Sequence, residues 1–327
     1  MRALEDIDRL VLLGDVLELR QGPVREALGA AEPALSALGA ALAPGAEVVL
    51  VPGNHDHLLL SPWMARRARR GDPPPLGASA EVDWRAGEPL ARVARRMAPA
   101  ALRVAYPGVW LRDDVYAFHG HYADRHTAVP MLERLGAGVM ARIVGEDPAG
   151  PASAEDYEAV LGPMYAWIDA LAQTGRLGRR SHGASASAWR AVAGSGRGAV
   201  GRRVLGAAFW ALIAGLNRAG LGPLSADLSG QGLRRSALRA AGEVVLALGV
   251  DADHVIFGHT HRAGPLPGDD RREWQTVRGA RLVNAGCWVH EPAFLGEDPS
   301  TSPYRAGFAV SLDDSTRDAP ALLNLLD

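Results

Sequence analysis

The sequence holds a single cysteine, Cys287, and no lysine. One thiol cannot close an internal disulfide, which excludes a disulfide-stapled scaffold and fits a reducing compartment. All 35 basic residues are arginine, amid abundant Ala and Gly, a composition bias with no functional content of its own. Long apolar runs are missing too. The longest, Val204–Leu216, has thirteen residues, short of the roughly 18–20 that span a bilayer, so a buried helix is expected there. Residues 1–8 are charged and lack an apolar stretch, so no secretory signal is expected and a cytoplasmic location is. A net charge of −2 with 48% hydrophobic residues describes an ordinary water-soluble protein, and 327 residues suffice for one large domain with an insertion.

What is present is a repeated unit, an apolar run ending in metal-type ligands. Glu47–Val51 reads as a buried strand that Pro52-Gly53 stops, and Asn54-His55-Asp56-His57 follows. Leu10–Leu13 leads into Gly14-Asp15, Val115–Phe118 into His119-Gly120-His121, and His254–Phe257 into Gly258-His259-Thr260-His261. Carboxylate, amide and imidazole donors together suit Mn, Fe or Zn. The two rings of a His-x-His pair on an extended segment share a side. Asn54 and Asp56 could also serve an ordinary turn and helix start.

Taken in order, Gly14-Asp15, Gly53-Asn54-His55-Asp56, His119 and Gly258-His259-Thr260-His261 resemble the motifs of the calcineurin-like metallophosphoesterase superfamily. The resemblance covers residues 5–120 and 250–312. It lacks that family's first motif, an Asp-x-His pair on an upstream strand, since only thirteen residues precede Gly14 and none forms such a pair. The expectation is a chain that starts late. The fold implied is α/β, a two-sheet β-sandwich flanked by helices in four layers (αββα).

Between the motifs, the pattern becomes helical. Residues 124–242 are expected to form a helical cap inserted into a core of 1–123 and 243–327. Within 171–242, eleven arginines (176, 179, 180, 190, 197, 202, 203, 218, 234, 235, 239) face one acid, Asp227, an excess of 11 − 1 = +10. Such segregation points to an anionic partner or substrate. Ser181–Gly198 reads as a flexible loop, Gly71–Pro89 as a surface loop, Leu102–Tyr106 and Val109–Leu111 as two strands, and Ala240–Gly249 as the returning helix.

The resemblance implies two divalent metal ions, Mn2+ first among the candidates with Fe or Zn as others. Asp15 would bridge them, Asn54, His119 and His259 would complete one, and His261 would bind the other. His55 would protonate the leaving group, and Asp56 would orient it. His57, His121 and His126 divide evenly between pocket lining and surface. The activity implied is hydrolysis of phosphate esters or anhydrides. The basic, partly apolar cap suggests a phosphorylated anionic substrate with an apolar portion and peripheral membrane contact, while a nucleotide or nucleic acid end stays open. The rival is a non-catalytic scaffold of the same fold with a degraded metal site.

Overall fold

A computed structural model describes residues 4–129, 132–147, 150–173, 211–218, 223–225, 227, 229–290, 292–296 and 298–327. Its strands are β1 (Arg9–Leu12), β2 (Glu47–Leu50), β3 (Ser79–Glu81), β4 (Ala101–Arg112), β5 (Val115–Phe118), β6 (His254–Phe257), β7 (Arg281–Asn284), β8 (Phe308–Ser311) and β9 (Ala321–Asn324). The named helices are α1 (Val24–Ala41), α2 (Ser61–Ala68), α3 (Pro89–Arg96), α4 (Leu132–Val144), α5 (Ala154–Gln173) and α6 (Gly230–Ala247). The fold is mixed α/β, with one seven-stranded sheet in the order β1-β2-β4-β5-β6-β7, β3 paired to β4, and a separate β8-β9 hairpin.

The long strand β4 is the spine. Its first third pairs in parallel with β2, up to Leu50 against Val104. Its last third pairs antiparallel with β5, with Phe118 opposite Gly108. The carboxyl ends of β2 and β5 therefore point at one another across Ala105–Pro107. Parallel neighbours bring the ends of β1, and of β6 and β7, to the same place. The ligand-bearing loops follow these ends, so two half-sheets deliver them to one spot from opposite directions. The sequence pattern divides β4 at Pro107, yet the strand runs through it. Pro107 sits where β4 passes from one partner to the next, a place where a missing N–H is tolerated.

Strands β5 and β6 are buried along their whole length, as unbroken apolar runs in covered sheets should be. One face of the sheet packs on the helices through Leu35, Leu50, Leu90, Tyr157 and Val244 among others. The other face, with Val49, Val109, Ala117 and Ile256, is met by Val310, Leu312 and Leu322 of the hairpin region. Leu323, Leu325 and Leu326 beyond it are exposed. Among the described residues the β8-β9 hairpin lies on this face.

Several local expectations change. The expected loop over Gly71–Pro89 contains β3, which completes the sheet beside β4. The returning helix begins at Gly230, where Ser229 caps it by accepting from the Gly232 N–H at 3.0 Å, so α6 runs through the 242/243 boundary. In the described part of Val204–Leu216, 211–216, Ile213 is buried while Leu212 is 57% exposed, unlike a buried helix. Ser181–Gly198 and seven cap arginines (176, 179, 180, 190, 197, 202, 203) lie outside the described residues. Of the others, Arg234 and Arg235 pair with Glu273 at 2.6 and 2.7 Å, which balances part of the cap's excess charge locally. No described helix is long and apolar enough to cross a membrane.

Candidate metal centre

Asp15, His119 and His259 each offer a donor atom within 4.8 Å of the others'. His119 is the pivot. Its Nδ1 donates to the Leu13 carbonyl at 2.8 Å, which leaves Nε2 as the lone-pair nitrogen. That Nε2 faces Asp15 Oδ2 at 3.2 Å and Asn54 Oδ1 at 3.3 Å. Three electron-rich atoms converge with no hydrogen of their own between them, so the arrangement calls for a proton or a cation. Donors each about 2.1 Å from a common ion stand roughly 3.0–3.4 Å apart, so these spacings fit a metal. A histidine ligand whose second nitrogen is held by a carbonyl is the usual outer-shell device.

His259 repeats the device. Its Nε2 bonds Asp124 Oδ1 at 2.8 Å, leaving Nδ1 as the free donor, while Asp124 Oδ2 is buried without a partner. The charges agree with this geometry. Burial pushes the Asp15 carboxyl up, but the imidazoles of His119, His55 and His259 hold it well below the usual carboxylate range. Burial pulls His119 down, but Asp15 and the Leu13 carbonyl raise it to about 9. His261 lies in the field of His259, Asp15, His119 and His55, and burial with the His259 charge pushes it down to about 4. It stands outside the three-residue donor cluster.

The loops that carry these donors are strained where they turn. Among the described residues, the non-glycine residues with left-handed backbone are Asp15 (φ 53°), His259 (φ 65°) and His261 (φ 61°), all candidate ligands. Strain of this kind collects at functional sites. It also corrects the extended reading of the His-x-His pair, because both residues sit in tight bends and not on a strand. Asn284 braces the bend. Its Nδ2 donates to Thr260 Oγ1 at 2.8 Å and the Gly258 carbonyl at 3.2 Å, and its Oδ1 accepts from the Gly286 N–H. Gly14 and Gly53 let the loops close. A Cβ on Gly14 would stand 2.1 Å from His119 Nδ1, and one on Gly53 would stand 2.4 Å from Asp15 Oδ1.

His55 sits beside the cluster, and its partner is not Asp56. Nδ1 of His55 lies 2.7 Å from Glu18 Oε2. Burial lowers its pKa, but the Glu18 bond and the Asp15 charge raise it above the ordinary imidazole value. Asp56 is wholly buried and accepts the backbone N–H groups of Gly53 (2.6 Å), Val16 (2.9 Å) and Asp15 (3.3 Å). It knots the two ligand loops together, and its expected role in orienting His55 belongs to Glu18. The hydrogen bonds of Asp56 among the described residues go to backbone N–H groups, while the His55 ring bonds Glu18.

His57 and His121 are buried, which settles them against the surface. His57 Nε2 meets Glu158 Oε2 at 3.0 Å, and His121 Nε2 meets the Tyr106 hydroxyl at 3.1 Å. Glu158, from α5, also accepts from Tyr106 and Tyr122, at 2.5 and 2.8 Å. Glu18, Asp124 and Glu158 carry no spacing pattern that would single them out in the sequence. The chain matches no protein-family model, no curated protein and no solved structure.

Proposed function

We propose that the chain is a metal-dependent hydrolase of phosphate esters or anhydrides, built as a metallophosphoesterase-type sandwich whose two sheets are the half-sheets meeting along β4. The observation that carries the reading is the lone-pair nitrogen of His119 facing Asp15 Oδ2 and Asn54 Oδ1 at 3.2 and 3.3 Å. Asp15, Asn54, His119 and His259 would hold one divalent ion, and Asp15 and His261 would contribute to a second, with Mn2+ the first candidate. When bound, such ions supply Lewis acidity, neutralising phosphoryl oxygens and making water nucleophilic at neutral pH.

The chain's own residues do the rest. Asn54 supplies a neutral oxygen, so it adds no charge to repel a phosphate. His55 keeps its Nδ1 on Glu18 and is 37% exposed, so its Nε2 can deliver a proton to a leaving oxygen. Its raised pKa keeps more of it protonated near neutrality. Asp56 fixes both loops.

The test is metal analysis of the purified full chain, together with hydrolysis of p-nitrophenyl phosphate and bis(p-nitrophenyl) phosphate in Mn2+. Metal uptake and turnover, both abolished by Asn54→Ala with His119→Ala, support the enzyme. No uptake and no turnover would replace it with the scaffold reading.

A further inference from the structure

Among the described residues, four of the ten buried side-chain atoms without a hydrogen-bond partner lie on one seam, between the loop after β1 and the C-terminal half of α5. They are Nε and Nη2 of Arg20, the Tyr165 hydroxyl and Oδ1 of Asp169. Tyr165 is fully buried and Asp169 is 3% exposed. Nε and Nη2 make up one edge of the guanidinium, the edge that takes two oxygens of a single oxyanion side-on. The guanidinium carbon lies 5.1 Å from the centre of the Tyr165 ring. Dry, unpaired polar groups cost stability wherever they occur, so a cluster of them asks for a partner from outside the chain.

The seam flanks the metal cluster. The Tyr165 ring is 5.1 Å from that of His57 and 5.9 Å from that of His121, and His121 is in turn 5.5 Å from His119. The backbone N–H of Arg20 donates to Glu18, the carboxylate that also holds His55. A ligand lying between Arg20 and the metal ligands would therefore pass the proton donor.

Helix α5 is divided in a way that suits entry. Its N-terminal half is anchored through Glu158 to His57, Tyr106 and Tyr122, and through Tyr157 to His126. Gly162-Pro163 follows. Proline has no N–H to give the Ala159 carbonyl, so the helix is weakened there. The C-terminal half carries Tyr165 and Asp169, and near its end Gln173 bonds Gly22 and Val24.

We propose that this seam binds the non-reacting part of the substrate. Arg20 takes a second phosphate-type oxyanion side-on, Tyr165 donates to it, and Asp169 accepts from a neighbouring ligand hydroxyl. The substrate class is then a hydroxylated organophosphate with a second anionic group beyond the scissile bond, which rests on the phosphate-hydrolase reading. Bare phosphate fits less well, because Asp169 would repel it. Entry parts the C-terminal half of α5 from Arg20, with the flexure at Gly162-Pro163.

The test needs neither metal nor turnover, so it is separate from the test of hydrolysis. Glycerol 3-phosphate and inorganic phosphate are titrated into the chelator-treated full chain by calorimetry at millimolar ligand. Wild type should bind glycerol 3-phosphate the more tightly. Arg20→Met should weaken it at least about tenfold, the scale of a lost charge-assisted pair. Arg20→Lys, which keeps the charge and loses the planar edge, should also weaken it. Asp169→Asn should weaken glycerol 3-phosphate and not phosphate. Without ligand, Arg20→Met should melt at the same temperature as wild type or higher, because it removes unpaired buried N–H groups. No binding by wild type, equal binding by Arg20→Met, or a lower melting temperature in that variant would overturn the proposal.

Discussion

At Gly53 the side chain is one hydrogen because nothing larger fits. A methyl there would stand 2.4 Å from Asp15 Oδ1 and 2.7 Å from His119 Nε2, on the donor atoms themselves. Gly53→Ala should therefore fold, since the loop can shift, yet lose metal uptake, which elemental analysis would read. Retained stoichiometry would show that the loop has more room than the geometry allows. The other residue-scale device is the Glu18–His55 pair. A proton donor matters most when the leaving group is poor. His55→Asn should lower kcat on an alkyl phosphate by about 10²–10⁴ and leave a p-nitrophenyl ester, whose leaving group needs no proton, nearly untouched. Glu18→Gln should show the same split, smaller. Equal losses on both substrates would remove His55 from proton transfer.

Among the elements, α5 is the one whose docking bears on both the cluster and the cap. His126 meets the Tyr157 hydroxyl on that helix. Burial, then the charges of Arg125, Arg134 and Arg239, push His126 down to about 4. The unfolded chain takes up a proton near pH 6.5 and the folded chain does not, so this group's contribution is present above pH 6.5 and is lost as pH falls toward 4. The loss is of order 3 kcal/mol at most. His126→Gln should flatten that stretch of the stability curve, measured by urea unfolding at pH 7, 6, 5 and 4. An unchanged slope would assign the acid sensitivity elsewhere. The strands that feed the ligand loops were legible because each is an apolar run stopped by a small residue: β2 at Pro52-Gly53, β5 at His119-Gly120, β6 at Gly258. The continuity of β4 through Pro107 was not, because a proline reads locally as a stop and only the change of partner makes it harmless. Glu18, Asp124 and Glu158 were hidden for a related reason. A lone carboxylate looks like any surface acid until the fold gives it an imidazole.

At the scale of the molecule, the cluster draws on loops after β1, β2, β5 and β6, so its closure joins both half-sheets. An ion bound there would bind the folded chain alone and stabilise it by mass action, by about 2.7 kcal/mol at one hundred times Kd. Without the ion, the neighbouring carboxylate and carbonyl raise His119 to about 9, so a proton occupies the place between Nε2 and its two oxygens. Metal must displace that proton. Affinity should then rise with pH up to about 9, and the stabilisation with it. Melting the chelated chain with and without added Mn2+ should show a shift that is small at pH 6.5 and several degrees larger at pH 8.5. His119→Gln, which keeps an oxygen donor but has no proton to lose, should shift less and equally at both pH values. A pH-independent shift in wild type would mean that the cation binds away from His119. No shift at all would leave Asp15, Asn54 and His119 as a protonated hydrogen-bond knot that fastens one half-sheet to the other.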